Sequence, residues 1–154
     1  VHVAPCVILF FFSIKISIED IRFHRIRNIL LFYFFILLCL QSILFGNLFS
    51  QLLTGLIFFA IFTTFHLVGI LISTVSGIGF GDVKLLTVLA FGFIDAEFRE
   101  IEIFFLSLWC ALLLQVCLHY ICKRRLPSSM AMAPSIFLAV LLYLCAPIAL
   151  LLPQ

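Results

Sequence analysis

Acidic side chains are scarce in this sequence, and two of them stand where they could act as a pair. The chain has seven Asp and Glu residues. Four of them share one polar segment, in which we expect water to solvate them: Asp95, Glu97, Glu100 and Glu102. The other three, Glu19, Asp20 and Asp82, lie at the ends of long apolar stretches. Ionisable groups in such places are candidate functional residues.

Asp20 and Asp82 could together carry out acid–base chemistry. Two carboxylates that lie close together cannot both ionise easily, so the pair would hold one proton between them. One carboxylate then draws a proton from water while the other protonates or polarises a carbonyl group. Hydrolysis by such a pair needs no cofactor, and we expect neither a cofactor nor a metal.

Three glycines at alternating positions, Gly77, Gly79 and Gly81, lead directly into Asp82. Glycine disfavours ordinary helix and lets a second backbone approach without a clash at Cβ. The segment therefore predicts an interruption before the next helix, with room for a substrate strand beside the aspartate. The alternative is a plain glycine turn between two helices, with an incidental aspartate.

The composition indicates a membrane protein. Hydrophobic residues make up 66% of the chain and charged residues only 10%, whereas a soluble domain has about 25% charged residues. The net charge of +2 and the absence of a basic patch with interleaved aromatics give no reason to expect nucleic acid as a partner. The six cysteines form no C-x-x-C pair, so we expect them to be packing residues rather than zinc ligands or a redox centre.

Apolar runs of about 20 residues predict membrane spans. Six such segments divide the chain: Val1–Ile18, Ile29–Phe45, Leu52–Thr74, Val83–Ile94, Ile103–Ile121 and Pro134–Leu152. The predicted fold is an all-α polytopic membrane bundle, with residues 1–154 as one domain. The first segment lacks a basic start and an A-x-A cleavage site, so we expect a retained span rather than a signal peptide. The fourth has only 12 residues and predicts a tilted or partly re-entrant helix shielded by its neighbours.

Basic residues concentrate in alternate connections. They occur in residues 19–28, at Lys84 and in residues 123–125, whereas the second connection is uncharged and the fourth is mainly acidic. Because cytoplasmic loops collect Lys and Arg, we expect the first, third and fifth connections inside and both termini outside. This orientation places Asp20 and Asp82 at the same, cytoplasmic, face of the membrane.

Two segments together resemble the type IV prepilin and preflagellin peptidases. From Gly77 the sequence reads Gly-Ile-Gly-Phe-Gly-Asp-Val-Lys-Leu-Leu, which is similar to the family's G-x-G-D signature with its Asp-x-Lys-Leu continuation. The family's other aspartate follows the first span in a segment like D-x-R-x-x-x-I-P-N. Residues 20–28 match that segment, except that Arg27 replaces the proline. Residues 126–139 are similar to the family's proline-containing entry to the last span.

The resemblance implies a membrane aspartyl endopeptidase with Asp20 and Asp82 as its catalytic pair. It implies supporting roles for the residues around the second aspartate: Gly77, Gly79, Gly81 and Lys84. The expected reaction is removal of the leader from prepilin-like proteins, whose basic leader ends in glycine before an apolar helix. Such a substrate and membrane lipid are the expected partners. Nothing here matches the methyltransferase part of the larger members, so the resemblance is to the short form.

Several charged residues near the pair have two open interpretations. Lys84 is expected either to position the site or to contact lipid headgroups, and Glu19 either tunes the pair or is simply solvated. Arg27 in place of proline is expected to loosen the turn after the first aspartate. His24 and His66 have no further ligand at a metal-site spacing, so we expect them to pack or to lie at the interface.

Two other functions fit parts of the sequence. A small transporter or channel could use Asp82 as an ion-binding group at a broken helix. Such proteins usually show paired interruptions in two related halves, whereas this chain has one glycine-rich break. A relative of the peptidases that has lost its activity is the other alternative, although both aspartates are present.

Overall fold

The computed structural model of the chain describes residues 3–23, 25–72, 79–124 and 131–150. In these residues lie six helices and no strand: α1 (Val3–Phe23), α2 (Asn28–Phe45), α3 (Leu48–Ile72), α4 (Phe80–Phe93), α5 (Phe98–Lys123) and α6 (Ala133–Leu150). The predicted all-α class is confirmed. The helices follow the six predicted apolar segments in order along the chain.

Three of the helices within the described residues are long and apolar enough to cross a membrane: Asn28–Phe45, Leu48–Ile72 and Phe98–Cys122. The two longer ones have 25 residues each and are therefore about 37 Å long, against about 30 Å for the hydrocarbon core of a bilayer. Their large apolar side chains face outward, and Leu44 and Leu71 are 82% and 83% exposed. Soluble proteins rarely expose apolar surface on this scale, so the bundle is suited to lipid.

Helix α4 is too short to cross a membrane alone and lies among its neighbours. Its 14 residues span about 21 Å, and it packs against α2, α3 and α6. Most of its apolar side chains are buried: Val83, Leu85, Leu86, Leu89, Ala90 and Phe91. A Cβ atom at Gly92 would lie 2.6 Å from Leu38 Cδ1, so the Leu38 side chain of α2 packs directly over the backbone of α4 at this glycine. The neighbouring helices therefore cover this short helix.

The largest differences from the helix boundaries predicted by hydropathy lie at the end of α1 and at the start of α5. Helix α1 continues to Phe23 instead of ending at Ile18, and α5 begins at Phe98 instead of Ile103. Hydropathy marks where apolar residues stop, whereas backbone hydrogen bonds carry a helix on through charged residues. The correction matters for Asp20, which lies in the last turn of α1 and not in the connection that follows.

One residue of the acidic segment, Glu100, has a specific partner in α6, away from Asp20. The Tyr143 hydroxyl donates a hydrogen bond of 2.8 Å to Glu100 Oε2. The other three acidic residues of that segment are exposed, as expected: Asp95, Glu97 and Glu102. Glu100 thus ties α5 to α6, which the sequence alone did not indicate.

Candidate active site

Asp20 is built into the fold. It lies in the last turn of α1, and only 5% of its surface is exposed. Its carboxylate oxygen Oδ2 accepts a hydrogen bond of 2.9 Å from the backbone N–H of Ala133, the first residue of α6. A carboxylate buried this deeply needs donors in place of the water it has lost, and the first turn of another helix provides one.

Helix α6 in turn needs an acceptor at this point. The first N–H groups of a helix have no partner within it. Met132 precedes the helix and has no side-chain oxygen to cap it, and Pro134 has no N–H at all. Asp20, 113 positions earlier in the chain, provides the acceptor for Ala133 that a capping serine or aspartate would normally provide. The carboxylate therefore joins the ends of α1 and α6.

Asp82 is held mainly by its own helix. Gly79 is the N-cap of α4, in an extended conformation, and Asp82 is the third residue of the helix. The Asp82 N–H bonds back to the Gly79 carbonyl at 3.0 Å, and the Asp82 carboxylate has a backbone hydrogen bond from Gly79. An acidic side chain at this position that bonds to the N-cap N–H is half of a capping box. This local arrangement fixes the direction of the half-buried carboxylate.

The two aspartates line one cavity. It has a volume of about 360 Å³ and lies between the ends of α1, α2 and α4. Its lining comprises both carboxylates, two basic residues and the backbone before α4: Asp20, Arg25, Ile26, Asn28, Gly79, Phe80, Gly81, Asp82 and Lys84. The cavity is large enough for water and part of a peptide chain. The structure therefore brings together the two residues that the sequence paired.

Electrostatics distinguish the two carboxylates. Asp82 precedes the fourth apolar segment, and its pKa is raised to about 6, first by burial and next by the negative charge of Asp20. The backbone hydrogen bond from Gly79 lowers the pKa but does not offset these two effects. Like charges that share a cavity disfavour ionisation of the second group. Of the two residues, Asp82 is the one whose surroundings favour the protonated form.

The glycines before Asp82 are not equivalent. A Cβ atom at Gly79 would lie 3.0 Å from Asp82 Oδ2, whereas one at Gly81 would lie at an ordinary distance of 3.7 Å from the Ile26 side chain. A side chain at residue 79 would therefore crowd the carboxylate, which would have to shift by a few tenths of an ångström. Gly77, the third predicted support residue, lies outside the described residues, as does His24.

Lys84 connects the site to helix α2. Its Nζ donates a hydrogen bond of 3.1 Å to Asn28 Oδ1 and lies 4.9 Å from the centre of the Phe80 ring. The bond links the fifth residue of α4 to the first residue of α2, and both of its partners line the cavity. This geometry favours the positioning role among the two interpretations of Lys84. The Phe80 ring also packs against the His66 ring, with 5.6 Å between the ring centres.

Arg27 occupies the place of the family proline with a backbone that proline also adopts. It is the N-cap of α2, with φ −70° and ψ 123°, close to the value of about −65° to which a proline ring restricts φ. Its side chain lies 3.7 Å from Glu19 Oε2 in an ion pair. The connection thus keeps a proline-like conformation, and Glu19 has a partner of its own beside Asp20.

Sequence reasoning missed the partners of the site residues. The backbone N–H of Ala133 carries no signal in the sequence beyond its position beside Pro134. Asn28 ends the segment that resembles the family motif, but its bond to Lys84 spans 56 positions and could not be read from spacing. Arg25 lines the cavity and was noted only as part of a basic connection.

Comparison of the chain with protein-family models, with curated proteins and with solved structures gives no match. In the described part of the chain, no group of three or more His, Cys, Asp or Glu residues is arranged to hold a metal ion. The six cysteines are free thiols.

Proposed function

We propose that this chain is a membrane aspartyl endopeptidase that removes the leader from prepilin-like proteins. The observation that carries the proposal is the shared cavity, which Asp20 and Asp82 line from different helices. The motif resemblance gives the same two residues by an independent route. A pair of carboxylates in one water-accessible cavity, of which one has a raised pKa, is the arrangement that acid–base hydrolysis requires.

The surroundings of the two residues support a different role for each. Asp20 accepts a hydrogen bond from the first N–H of α6, where the helix dipole also favours negative charge, so it acts as the base. Asp82, with its pKa raised to about 6, holds the shared proton and acts as the acid. Gly79 aligns the Asp82 carboxylate, and Lys84 holds the start of α4 against α2.

In the proposed reaction, ionised Asp20 takes a proton from water while the water oxygen attacks the scissile carbonyl carbon. Protonated Asp82 gives its proton to the carbonyl oxygen, and the result is a neutral tetrahedral diol. The diol collapses when one hydroxyl returns its proton to Asp82 and the carbon–nitrogen bond breaks. Asp20 gives its proton to the departing amine, so the products are an acid and an amine and both carboxyls return to their starting states.

The same proposal places the site at the cytoplasmic face of the cell membrane. The cavity lies at the end of the bundle that carries Arg25, Arg27 and Lys84, and cytoplasmic segments collect such residues. Crossing by all six helices, with both termini outside, is part of the proposal. A prepilin-like substrate would keep its apolar helix in the bilayer and present its leader junction to the cavity.

The experiment is leader cleavage of a prepilin-like substrate in membranes that contain the full chain. The parent is compared with Asp20→Asn and Asp82→Asn, which keep the side-chain shape and remove the titratable group. Asp95→Asn is the matched control, because Asp95 is exposed in the acidic segment away from the cavity. We expect cleavage by the parent and the control, and a loss of at least about a thousandfold in the two site variants.

Each variant is also tested for insertion by its amount in the washed membrane fraction. Loss of activity without loss of inserted protein supports the proposal. If Asp20→Asn or Asp82→Asn cleaves at the parental rate, the proposed mechanism is wrong. A parent that cleaves no prepilin-like substrate rules out the proposed reaction.

A further inference from the structure

Gln115 stands out in α5 because its side chain makes a specific contact with the start of α6. Its Nε2 donates a hydrogen bond of 2.8 Å to the carbonyl oxygen of Ala131. An amide in an apolar membrane helix is disfavoured unless its polar atoms find partners within the protein. The crossing segment Phe98–Cys122 is strongly apolar, so a glutamine there calls for a reason.

The contact lies two residues from the one that holds Asp20. Ala131 is anchored by Gln115 through its carbonyl, and Ala133 is anchored by Asp20 through its N–H. Only Met132 lies between them, and its carbonyl accepts the first hydrogen bond of α6, from Ile136 at 3.0 Å. The entry to α6 is therefore fixed from α5 on one side and from α1 on the other.

We propose that Gln115 is a positioning residue that acts on Asp20 through the Ala131–Ala133 segment. Gln115 holds the carbonyl of Ala131 and thereby fixes the direction of the Ala133 N–H. That N–H in turn orients the Asp20 carboxylate towards the cavity. This inference rests on the proposed function, because it concerns the orientation of the catalytic base. Gln115 does not line the cavity and takes no part in the proton transfers.

The test replaces Gln115 by methionine, which has a similar length and no hydrogen-bond donor. The matched control is Gln41→Met in α2, because Gln41 is also a half-buried glutamine in a crossing helix and, like Gln115, has an Oε1 with no hydrogen-bond partner in the described residues. The control therefore leaves the Nε2 bond to Ala131 as the feature that Gln115→Met removes. We expect Gln115→Met to lower kcat about tenfold and to change KM by less than about twofold, because substrate contacts remain. The control should keep both constants at the parental values.

A second readout does not depend on activity. In the full chain with 15N labelling, hydrogen exchange of the Ala133 amide reports directly on its bond to Asp20. We expect faster exchange in Gln115→Met and unchanged exchange in Gln41→Met.

The outcomes separate the two proposals. If Gln115→Met keeps the parental kcat, or if both glutamine variants lose activity equally, the positioning role is overturned. It is also overturned if kcat falls while exchange at Ala133 stays unchanged. If the parent cleaves no substrate, the proposed function fails, and the exchange rates alone then decide whether Gln115 orders the Ala133 amide.

Discussion

Asp20 and Asp82 lie in the same cavity but are held by two different kinds of structure. Asp20 is almost fully buried and bonds to the first residue of a helix 113 positions away. Asp82 is only half-buried, and its backbone and carboxylate bond within three residues, to Gly79. The hydrogen bond of Asp20 joins two helices, α1 and α6, whereas those of Asp82 stay within the first turn of α4.

This difference separates the chemistry of two identical side chains. The carboxylate that ties α1 to α6 is satisfied as an anion, because a helix N–H donates to it. The other carboxylate is half-buried and feels the negative charge of Asp20, and both effects raise its pKa. One carboxylate is held by a bond between two helices, whereas the other keeps its proton up to about pH 6; a hydrolytic pair needs two such different environments.

The largest expected effect tests whether the two environments form one unit. We expect Asp20→Asn, Asp82→Asn and the double variant each to lower the single-turnover cleavage rate by about the same factor, a thousandfold or more. Residues that act together show such non-additive losses, since removing either one disables both. Multiplicative losses in the double variant would show that the two aspartates act independently.

The second prediction concerns stability and has opposite signs at the two sites. The pKa of Asp82 is raised above its ordinary value, so its contribution to the free energy of unfolding is full below about pH 4 and is lost as the pH rises through about 6. At pH 7.5, Asp82→Asn should therefore stabilise the protein by about 1 kcal/mol. Asp20→Asn should destabilise it by less than about 1 kcal/mol, because the charge-assisted hydrogen bond that becomes neutral is worth more than the repulsion from Asp82 that the variant also removes.

Equilibrium unfolding of the two variants in mixed SDS and dodecylmaltoside micelles at pH 7.5 measures this difference. Shifts of the same sign at the two sites would mean that the surroundings of the aspartates do not differ as described. At pH 4 the stabilisation of Asp82→Asn relative to the parent should be much smaller, because Asp82 in the parent is then protonated as well.

A smaller effect is expected from the two described glycines of the motif. Gly79→Ala should lower kcat about tenfold, because the new Cβ lies 3.0 Å from Asp82 Oδ2 and pushes the carboxylate aside. Gly81→Ala should stay within about twofold of the parent, because its Cβ meets Ile26 at an ordinary distance. Steady-state cleavage of the two variants at equal membrane content makes the measurement, and the reverse order would contradict the local alignment of Asp82.

The smallest expected effect is that of Arg27→Pro. The backbone at Arg27 already has a φ of −70°, which suits proline, and proline reduces the entropy of the unfolded chain by an amount worth about 0.4–1 kcal/mol. The substitution also removes the ion pair between Arg27 and Glu19. The Arg27 side chain is 67% exposed, so this loss is small and offsets only part of the gain. We expect a stability change below about 1 kcal/mol and parental cleavage, whereas a large loss would give the arginine side chain a role of its own.

Much of this architecture follows from composition and hydropathy. The excess of apolar residues predicts a helical membrane bundle, and the segments predict each helix in order. The same signal misplaced the end of α1 and the start of α5, because charged residues at Glu19 and Glu100 end an apolar run without ending a helix. The position of Asp20 within α1 depends on this difference.

The pairing of the aspartates could be predicted, but their environments could not. Parity of the spans places Asp20 and Asp82 at one end of the bundle, and the motif resemblance selects them from seven acidic residues. The bonds that distinguish them, from Ala133 to Asp20 and from Gln115 to Ala131, join backbone groups to distant side chains. A backbone group has the same chemistry at almost every position, so the sequence does not mark it.

The most direct test of a shared proton is the pH dependence of single-turnover leader cleavage by the full chain between pH 4 and pH 9. We expect a bell-shaped profile whose descending limb lies near pH 6, because the rate falls when the proton held at Asp82, with its pKa of about 6, is lost. A rate that stays constant or keeps rising from pH 6 to pH 9 would contradict hydrolysis by this pair of carboxylates.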